Sequence, residues 1–284
     1  MLADEATFTV EDLEPLIGSR ITTDAETLLS GRYATEIREL LEARSVLVFP
    51  KVSLDDDQQI AFTQTLGTMA YENNGTRDAD GNLQTIFKVS IDPKVNPIGA
   101  YFTTSFFWHL DGSMHDVPIL ASILGERFLP PEGAATEWCN TYAAYEALSD
   151  DDKAMLEGLR AVHANWALQR YVDPEPSYER FSAARNVPSR SHPIVWTHKS
   201  GRKSLVIGST AAYVEGLDTP ESMDLLVRLR DWATSPQFVY HHQWEPGDLV
   251  MWDNTGTLHR AIPYSVESGR LMHRTILQGE EPIA

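Results

Sequence analysis

The pattern of apolar and polar positions predicts β-strands that are short and lie mostly in the C-terminal half of the chain. Alternating or continuous apolar runs of strand length, rich in β-branched and aromatic residues, are typical of such strands. These runs lie at 45–50, 119–125, 204–208, 238–244, 248–254 and 270–277. The sequence EPGD at 245–248 predicts the turn between two of them.

Helical periodicity predicts three helices, at 32–44, 54–66 and 150–160. The pairs Ser53…Asp56 and Ser149…Asp152 have the spacing of a capping box, so they predict where the second and third helices begin. Many short strands, with the helices mainly elsewhere, predict a mainly β fold with flanking helices. This arrangement favours a β-sandwich or jelly-roll barrel over a doubly wound sheet, within a single domain spanning 1–284.

Two polar segments interrupt these elements. The sequence TRDADGN at 76–82 predicts a polar loop, and residues 173–193 predict a long irregular one. Long loops within one domain often carry function, so both are candidates for the surroundings of a binding site.

Composition narrows the classes of partner. The chain has 284 residues, 42% of them hydrophobic, and a formal net charge of -18. That charge repels nucleic acid and anionic membrane surfaces, so neither is an expected partner. The N-terminus lacks the features of a signal peptide, and no apolar run approaches the roughly 18 residues of a membrane span. Cys139 is the one cysteine, which fits a reducing compartment, and we expect a cytoplasmic protein.

The stretch FFWHLDGSMHDVP at 106–118 carries metal-ligand side chains in a run otherwise apolar enough for a buried strand. On a strand, His109 and Asp111 project to one face with their roots about 7 Å apart, so both can reach one metal ion. A second histidine would complete the two-histidine, one-carboxylate set that suits iron(II). An isolated His-x-Asp pair also occurs by chance, so this pair alone does not decide the question.

A second candidate group lies downstream, in the segment 252–276. His259 follows a strand and a glycine-containing turn, so it can approach the same end of a barrel from a neighbouring strand. Arg270 and Arg274 lie four residues apart on a predicted strand and therefore share a face. A buried arginine is costly without an anion, which predicts a bound dicarboxylate if this face is inward. Two arginines on a solvated face are the alternative interpretation.

The motifs WHLDG at 108–112, GAATEW at 133–138, WDNTGTLHRA at 252–261 and GRLMHRT at 269–275 follow a familiar order and spacing. With them the chain resembles the taurine dioxygenase and phenoxyacetate dioxygenase family of iron(II)- and 2-oxoglutarate-dependent oxygenases over nearly its whole length. The resemblance implies a double-stranded β-helix, or jelly-roll, core.

The resemblance also implies the site residues. His109, Asp111 and His259 match the iron ligands, and Arg270 and Thr136 match the partners of the distal carboxylate of 2-oxoglutarate.

Substrate contacts follow by the same resemblance. Arg274 matches an anchor for an anionic substrate, and the segment 69–82 falls where the family has a mobile lid, so that Tyr71, Asn73 and Asn74 are candidate substrate contacts.

The implied reaction consumes O2 and 2-oxoglutarate and gives succinate and CO2 while a C–H bond of a small organic anion is hydroxylated. If the hydroxylated carbon bears a heteroatom, the product collapses and the net reaction is cleavage. One motif departs from the family: residues 133–136 are Gly-Ala-Ala-Thr, where the family often has Gly-Gly-Asp-Thr.

Two other functions remain as alternatives. A zinc-dependent hydrolase or lyase could use the same His, Asp and His set, but it leaves the two arginines unexplained. A non-catalytic anion-binding jelly roll explains the arginines but not three metal-ligand side chains. For the dioxygenase, a homo-oligomer is expected.

Overall fold

The computed structural model describes residues 8–70, 85–130 and 134–284. The α-helices in these ranges are α1 (Ala25–Leu29), α2 (Ala34–Arg44), α3 (Asp56–Leu66), α4 (Thr141–Glu146), α5 (Asp150–Leu156), α6 (Asn165–Val172), α7 (Tyr178–Asn186) and α8 (Thr219–Ala233). Shorter 3₁₀ helices are Gly99–Phe106, Pro236–Phe238 and Val266–Ser268. No helix in the described part of the chain is both long and apolar enough to cross a bilayer.

The strands in the same ranges are β1 (Thr9–Asp12), β2 (Ser19–Thr22), β3 (Val46–Phe49), β4 (Met69–Ala70), β5 (Phe87–Val89), β6 (Ala121–Phe128), β7 (Thr136–Asn140), β8 (Arg160–His163), β9 (Arg190–Pro193), β10 (Val195–Thr197), β11 (Lys203–Leu205), β12 (Ala211–Val214), β13 (Val239–His242), β14 (Leu249–Asp253), β15 (Thr257–Ala261) and β16 (Leu271–Leu277). Each of the six predicted strand runs overlaps one of them.

The largest sheet has the strand order β1-β2-β3-β14-β6-β16-β4, with β5 also paired to β16. Its pairs are antiparallel except β2 and β3, which run parallel. Smaller sheets have the orders β10-β11, β12-β8-β9 and β13-β7-β15. Sheets form the centre and helices cover them, which agrees with the predicted mainly β fold with flanking helices.

The alternation of side chains along β14 explains how the large sheet is covered on both faces. Successive strand residues point to opposite faces. Leu249 and Met251 pack with helices α1 to α3, whereas Val250 and Trp252 pack toward the sheet β13-β7-β15. There the rings of Trp252 and Trp138 lie 5.6 Å apart. Because both faces are buried, β14 reads as a continuous apolar run rather than an alternating one.

The start of α3 differs from the prediction. Its capping box is formed by Asp55 and Gln58, not by Ser53 and Asp56. Ser53 has φ of +50°, a left-handed backbone conformation that is not the extended one of an N-cap residue. The prediction for α5 is confirmed at its N-terminus, where the Ser149 side chain accepts a hydrogen bond from the backbone of Asp152.

Two other predictions are wrong. The irregular loop expected at 173–193 contains helix α7 and strand β9, because Ser177 caps a helix that its proline-rich surroundings conceal. The strand expected at 106–118 is absent: a 3₁₀ helix ends at Phe106, and beyond it only an isolated bridge at His109 is strand-like.

Candidate active site

The two candidate histidine ligands face each other across an antiparallel bridge. The backbone N–H of His109 donates to the carbonyl of His259 at 3.0 Å, and the N–H of His259 donates to the carbonyl of His109 at 2.9 Å. Residues that exchange both bonds in this way project their side chains to the same face. The imidazole rings accordingly lie 4.1 Å apart between centroids. A single antiparallel bridge between His109 and His259 is therefore sufficient to bring the two rings together.

Asp111 lies two residues beyond His109 and reaches the same place. Its Oδ1 is 3.7 Å from His109 Nε2, and its Oδ2 is 3.6 Å from His259 Nε2. The chain turns directly afterwards at Gly112, whose φ of +86° favours glycine and where a Cβ would lie 2.9 Å from Pro118. The predicted placement of His109 and Asp111 on one face is confirmed, although the backbone is a bridge and a turn rather than a strand.

The three side chains are arranged to bind a metal ion. Among the described residues they form the group of histidine, cysteine and acidic side chains close enough to share one ion, with ligand atoms within 4.8 Å of one another. His109 Nδ1 lies 2.8 Å from the carbonyl of Phe107, which can only accept, so this nitrogen carries the proton. Nε2 of His109 is then the nitrogen with a free lone pair. Two imidazoles and a carboxylate are a donor set that fits iron(II).

The electrostatics of the group favour a metal-ready state. Burial opposes ionisation of Asp111, but Arg274, followed by His259 and His109, lowers the pKa of this carboxyl to about 2. Burial, with a further contribution from His109, lowers the pKa of His259 well below its ordinary value. At neutral pH the site therefore offers an ionised carboxylate and a neutral imidazole at His259, which are the states that bind cations.

Arg270 is a buried cation, only 3% exposed, with no carboxylate partner among the described residues and with its Nε unbonded there. Its Nη2 lies 3.5 Å from the hydroxyl oxygen of Thr136, and its guanidinium stacks 4.9 Å from the ring centre of Tyr264. Trp244 Nε1 also donates to the Thr136 hydroxyl, at 3.0 Å. The structure thus brings together Arg270 and Thr136, the two residues predicted to hold the distal carboxylate of 2-oxoglutarate. Tyr264 had no signal in the sequence, because it lies in an irregular segment between two strands.

Arg274 faces the same interior as Arg270, as predicted, but it contacts a protein carboxylate. Its Nη1 donates to Oδ2 of Asp111 at 2.6 Å. The sequence showed no acid near Arg274 on its own strand, and this acid comes from a segment 163 residues away. The guanidinium of Arg274 therefore contacts the candidate ligand Asp111 and also borders the cavity beside it.

These residues line one cavity of about 850 Å³. The candidate ligands, Thr136, Arg270 and Arg274 are at one end. The remaining wall includes side chains that are mainly apolar or aromatic: Phe87, Val89, Ile98, Tyr101, Phe102, Leu168 and Ile276. The cavity can hold a molecule with an anionic head near the arginines and an apolar body.

The other candidate substrate contacts, Tyr71, Asn73 and Asn74, lie outside the described residues. The same is true of residues 71–82 of the expected lid segment.

In the motif at 133–136, which departs from the family pattern, Ala134 has φ of +69°, a left-handed conformation that favours glycine. Alanine thus occupies a backbone conformation that glycine adopts at lower cost.

The sequence of this chain matches the model of the family described as "Taurine catabolism dioxygenase TauD, TfdA family" over residues 9–276. An alpha-ketoglutarate-dependent 2,4-dichlorophenoxyacetate dioxygenase of Burkholderia sp. (strain RASC) is 37% identical, covering 95% of this chain and 94% of that protein. An enzyme of the same description from Cupriavidus pinatubonensis is 38% identical, covering 92% of this chain and 94% of that protein.

Among solved structures, AAD-2 in complex with Mn(II) and N-oxalylglycine superposes with a TM-score of 0.82. It is 29% identical, and the match covers 98% of this chain and all of that one. The similarity therefore extends over the whole fold and is not confined to the motifs.

Proposed function

Because the chain belongs to the TauD, TfdA family of dioxygenases, we propose that its small organic anion is an aryloxyalkanoate, an aromatic ring joined through oxygen to a short carboxylic acid. The protein is an Fe(II)- and 2-oxoglutarate-dependent dioxygenase that hydroxylates a small organic anion and releases succinate and CO2. The relatives do not support a zinc hydrolase, a lyase or a non-catalytic anion-binding protein.

We assign the metal ligands to His109, Asp111 and His259. The clustering of their ligand atoms within 4.8 Å supports this assignment. Iron bound there would supply the activation of O2, driven by the oxidative decarboxylation of 2-oxoglutarate. Replacing any of the three residues by alanine should abolish stoichiometric Fe(II) binding and turnover, with Asp111→Ala keeping weak binding through the two histidines. Full activity in one such variant, with the fold intact by circular dichroism, would contradict the assignment.

We assign Arg270 and Thr136 to the distal carboxylate of 2-oxoglutarate. A buried guanidinium without a carboxylate partner among the described residues supports this role, because an uncompensated charge in the interior is costly. The fork of the guanidinium can form two parallel hydrogen bonds to a carboxylate, and the Thr136 hydroxyl can donate a third. The chain itself thus orients the keto acid toward the candidate ligands.

The apolar wall of the cavity supports the proposal that the substrate contains an aromatic ring. Phe87 and Phe102 have ring centroids 5.2 Å apart, and the Arg274 guanidinium lies 5.6 Å from the ring centre of Phe87. A substrate carboxylate at Arg274 would therefore place an attached aryl group among aromatic side chains. An aliphatic sulfonate of similar length would contact these rings only through methylene groups and would lack the ring–ring packing.

Succinate formation with matched substrates tests the proposal. Hydroxylation of the carbon between the ether oxygen and the carboxylate gives a hemiacetal, which breaks into a phenol and glyoxylate. We expect phenoxyacetate and its chlorinated forms to stimulate succinate release, with one phenol formed per succinate, at least tenfold more efficiently than hexyl sulfate or hexanesulfonate. Preference for an alkyl sulfate or sulfonate would contradict the aryloxy assignment while leaving the dioxygenase activity intact.

We further propose a double-stranded β-helix core, in which the large sheet and β13-β7-β15 form the two facing layers around the candidate ligands. The packing of Val250 and Trp252 between these sheets supports this topology. Four further points stay predictions: a single domain, a lid at 69–82, a cytoplasmic location and a homo-oligomer. Limited proteolysis can test the domain and the lid, cell fractionation the location, and light scattering the oligomeric state.

A further inference from the structure

A buried chain of hydrogen bonds leads from the indole of Trp252 to the carboxylate of Asp111. Trp252 Nε1 donates to Asn254 Oδ1 at 2.8 Å, and Asn254 Nδ2 lies 3.0 Å from Ser122 Oγ. Ser122 Oγ in turn lies 3.5 Å from Oδ2 of Asp111. Ser122 and Asn254 have no solvent exposure, so bulk water does not compete for these hydrogen bonds.

The direction of these hydrogen bonds is fixed by chemistry. The indole N–H can only donate, so the atom of Asn254 that faces it is the carbonyl oxygen. The amide nitrogen of Asn254 therefore faces Ser122 and donates to its hydroxyl oxygen. Ser122 is left with one O–H to donate, and the ionised oxygen of Asp111 faces it. A donor-only group at one end thus directs a proton donor toward Asp111 at the other end.

The backbone holds the chain in register. Ser122 and Trp252 are direct partners in the pairing of β6 with β14, and Asn254 follows at the end of β14. The backbone N–H of Asn254 donates to the carbonyl of Leu120 at 2.9 Å. The side chains of Ser122 and Asn254 therefore have little freedom to move away from Asp111.

We propose that Ser122 and Asn254 are positioning residues that hold Oδ2 of Asp111 in hydrogen bonds and leave Oδ1 as the oxygen that binds the metal. Arg274 Nη1 donates to the same Oδ2 at 2.6 Å, whereas no described residue donates a hydrogen bond to Oδ1. The Ser122 contact, at 3.5 Å, is the longer of the two hydrogen bonds to Oδ2. The proposal rests on the assignment of Asp111 as a ligand.

Mn(II) binding to the metal-free protein, followed by the electron paramagnetic resonance signal of free Mn(II), tests this role without turnover. Loss of a group that orients a metal ligand typically weakens metal binding 10- to 100-fold. We expect Ser122→Ala to raise the Mn(II) Kd about tenfold. Ser45 provides the matched control, since it is equally buried and its hydroxyl has no hydrogen-bond partner among the described residues, so Ser45→Ala should leave the Kd unchanged.

A second variant tests the direction of the chain. An aspartate at position 254 can accept from Trp252 but cannot donate to Ser122, whose hydroxyl would then turn away from Asp111. Asn254→Asp should therefore weaken Mn(II) binding at least as much as Ser122→Ala. Both variants should also shift the visible absorption band of the anaerobic Fe(II)–2-oxoglutarate complex, which a loss of global stability alone would not move.

The outcomes separate the proposal from its premise. An unchanged Mn(II) Kd and an unchanged band in Ser122→Ala would overturn the positioning role, even if the melting temperature falls. If Asp111→Ala itself leaves Mn(II) binding unchanged, the ligand assignment fails instead. Should Asn254→Asp not fold, Ser122→Ala against Ser45→Ala decides the question.

Discussion

Arg270 and Arg274 are four residues apart, face the same cavity and carry the same charge, yet their surroundings differ. Arg270 contacts a hydroxyl and an aromatic ring, and no described carboxylate neutralises it. Arg274 is 2.6 Å from Oδ2 of Asp111. The first guanidinium is suited to an incoming dicarboxylate. The second already donates a hydrogen bond to a candidate metal ligand, so a substrate anion would have to share this guanidinium with Asp111.

The difference arises from what lies opposite each residue. Arg270 precedes β16 and lies near the start of β7, where the polar side chains of Thr136 and Tyr264 are within reach. Arg274 is in the middle of β16, opposite Leu124 and Phe87, on the side toward which Asp111 projects. Residue type and strand periodicity therefore predict that both arginines face inward, but their partners depend on distant segments.

The largest effect should come from Arg270. Truncating one partner of a buried charge pair costs about 2–5 kcal/mol. Arg270→Ala should therefore raise the 2-oxoglutarate concentration needed for half-maximal turnover by roughly 30-fold or more, since about 1.4 kcal/mol corresponds to tenfold. Steady-state kinetics at saturating substrate measure this, with Arg127→Ala as a control on the opposite side of the large sheet. An unchanged requirement would assign the distal carboxylate to another residue.

How well the sequence predicts each feature of this site depends on how far apart along the chain the contributing residues lie. His109 and Asp111 are two residues apart, so local geometry was sufficient to place them on one face. His259 was predicted because it follows a strand and a glycine-containing turn, which places it on a neighbouring strand. That order of elements is visible in the sequence. The pairing of His109 with His259, which brings the two rings together, is a contact across 150 residues that periodicity cannot reveal.

Buried polar partners are the part that the sequence concealed. Ser122 lies in an apolar run and was assigned only to a strand, and Tyr264 lies in an irregular segment. Neither has a local signal, because a serine or tyrosine gains its role from the side chain that tertiary packing places beside it. Helix α7 was missed for another reason: Ser177 is a good N-cap, but the prolines on either side of α7 favoured a loop prediction.

A smaller effect, of a different kind, should come from Arg274. We expect Arg274→Ala to weaken substrate-coupled turnover about tenfold, while the 2-oxoglutarate requirement changes much less than in Arg270→Ala. An amide-capped substrate should behave on the native enzyme much as the acid does on this variant. The alternative is that Arg274 contacts the metal-bound end of the keto acid. An equal rise in the 2-oxoglutarate requirement for both arginine variants, with substrate affinity untouched, would favour that alternative.

The smallest effect concerns pH and separates the two arginines without any turnover. Burial disfavours the ionised form of Asp111, and Arg274 is the strongest of the charges that nevertheless hold its pKa at about 2. In Arg274→Met the burial remains while that charge is gone, so the pKa of Asp111 should rise. A proton then competes with a metal ion for this carboxylate at mildly acidic pH, and metal binding should weaken as the pH falls.

The comparison variant is Arg270→Met, which removes an equal charge from the same cavity but does not contact Asp111. Arg274 is also one of the charges that lower the pKa of His259, so its removal favours protonation of that imidazole and weakens metal binding in the same direction as protonation of Asp111. We expect the ratio of Arg274→Met to Arg270→Met to increase a few-fold between pH 7 and pH 5. A ratio that stays constant over this range would mean that Arg274 does not control the ionisation of Asp111, and that its 2.6 Å contact serves only to orient the carboxylate.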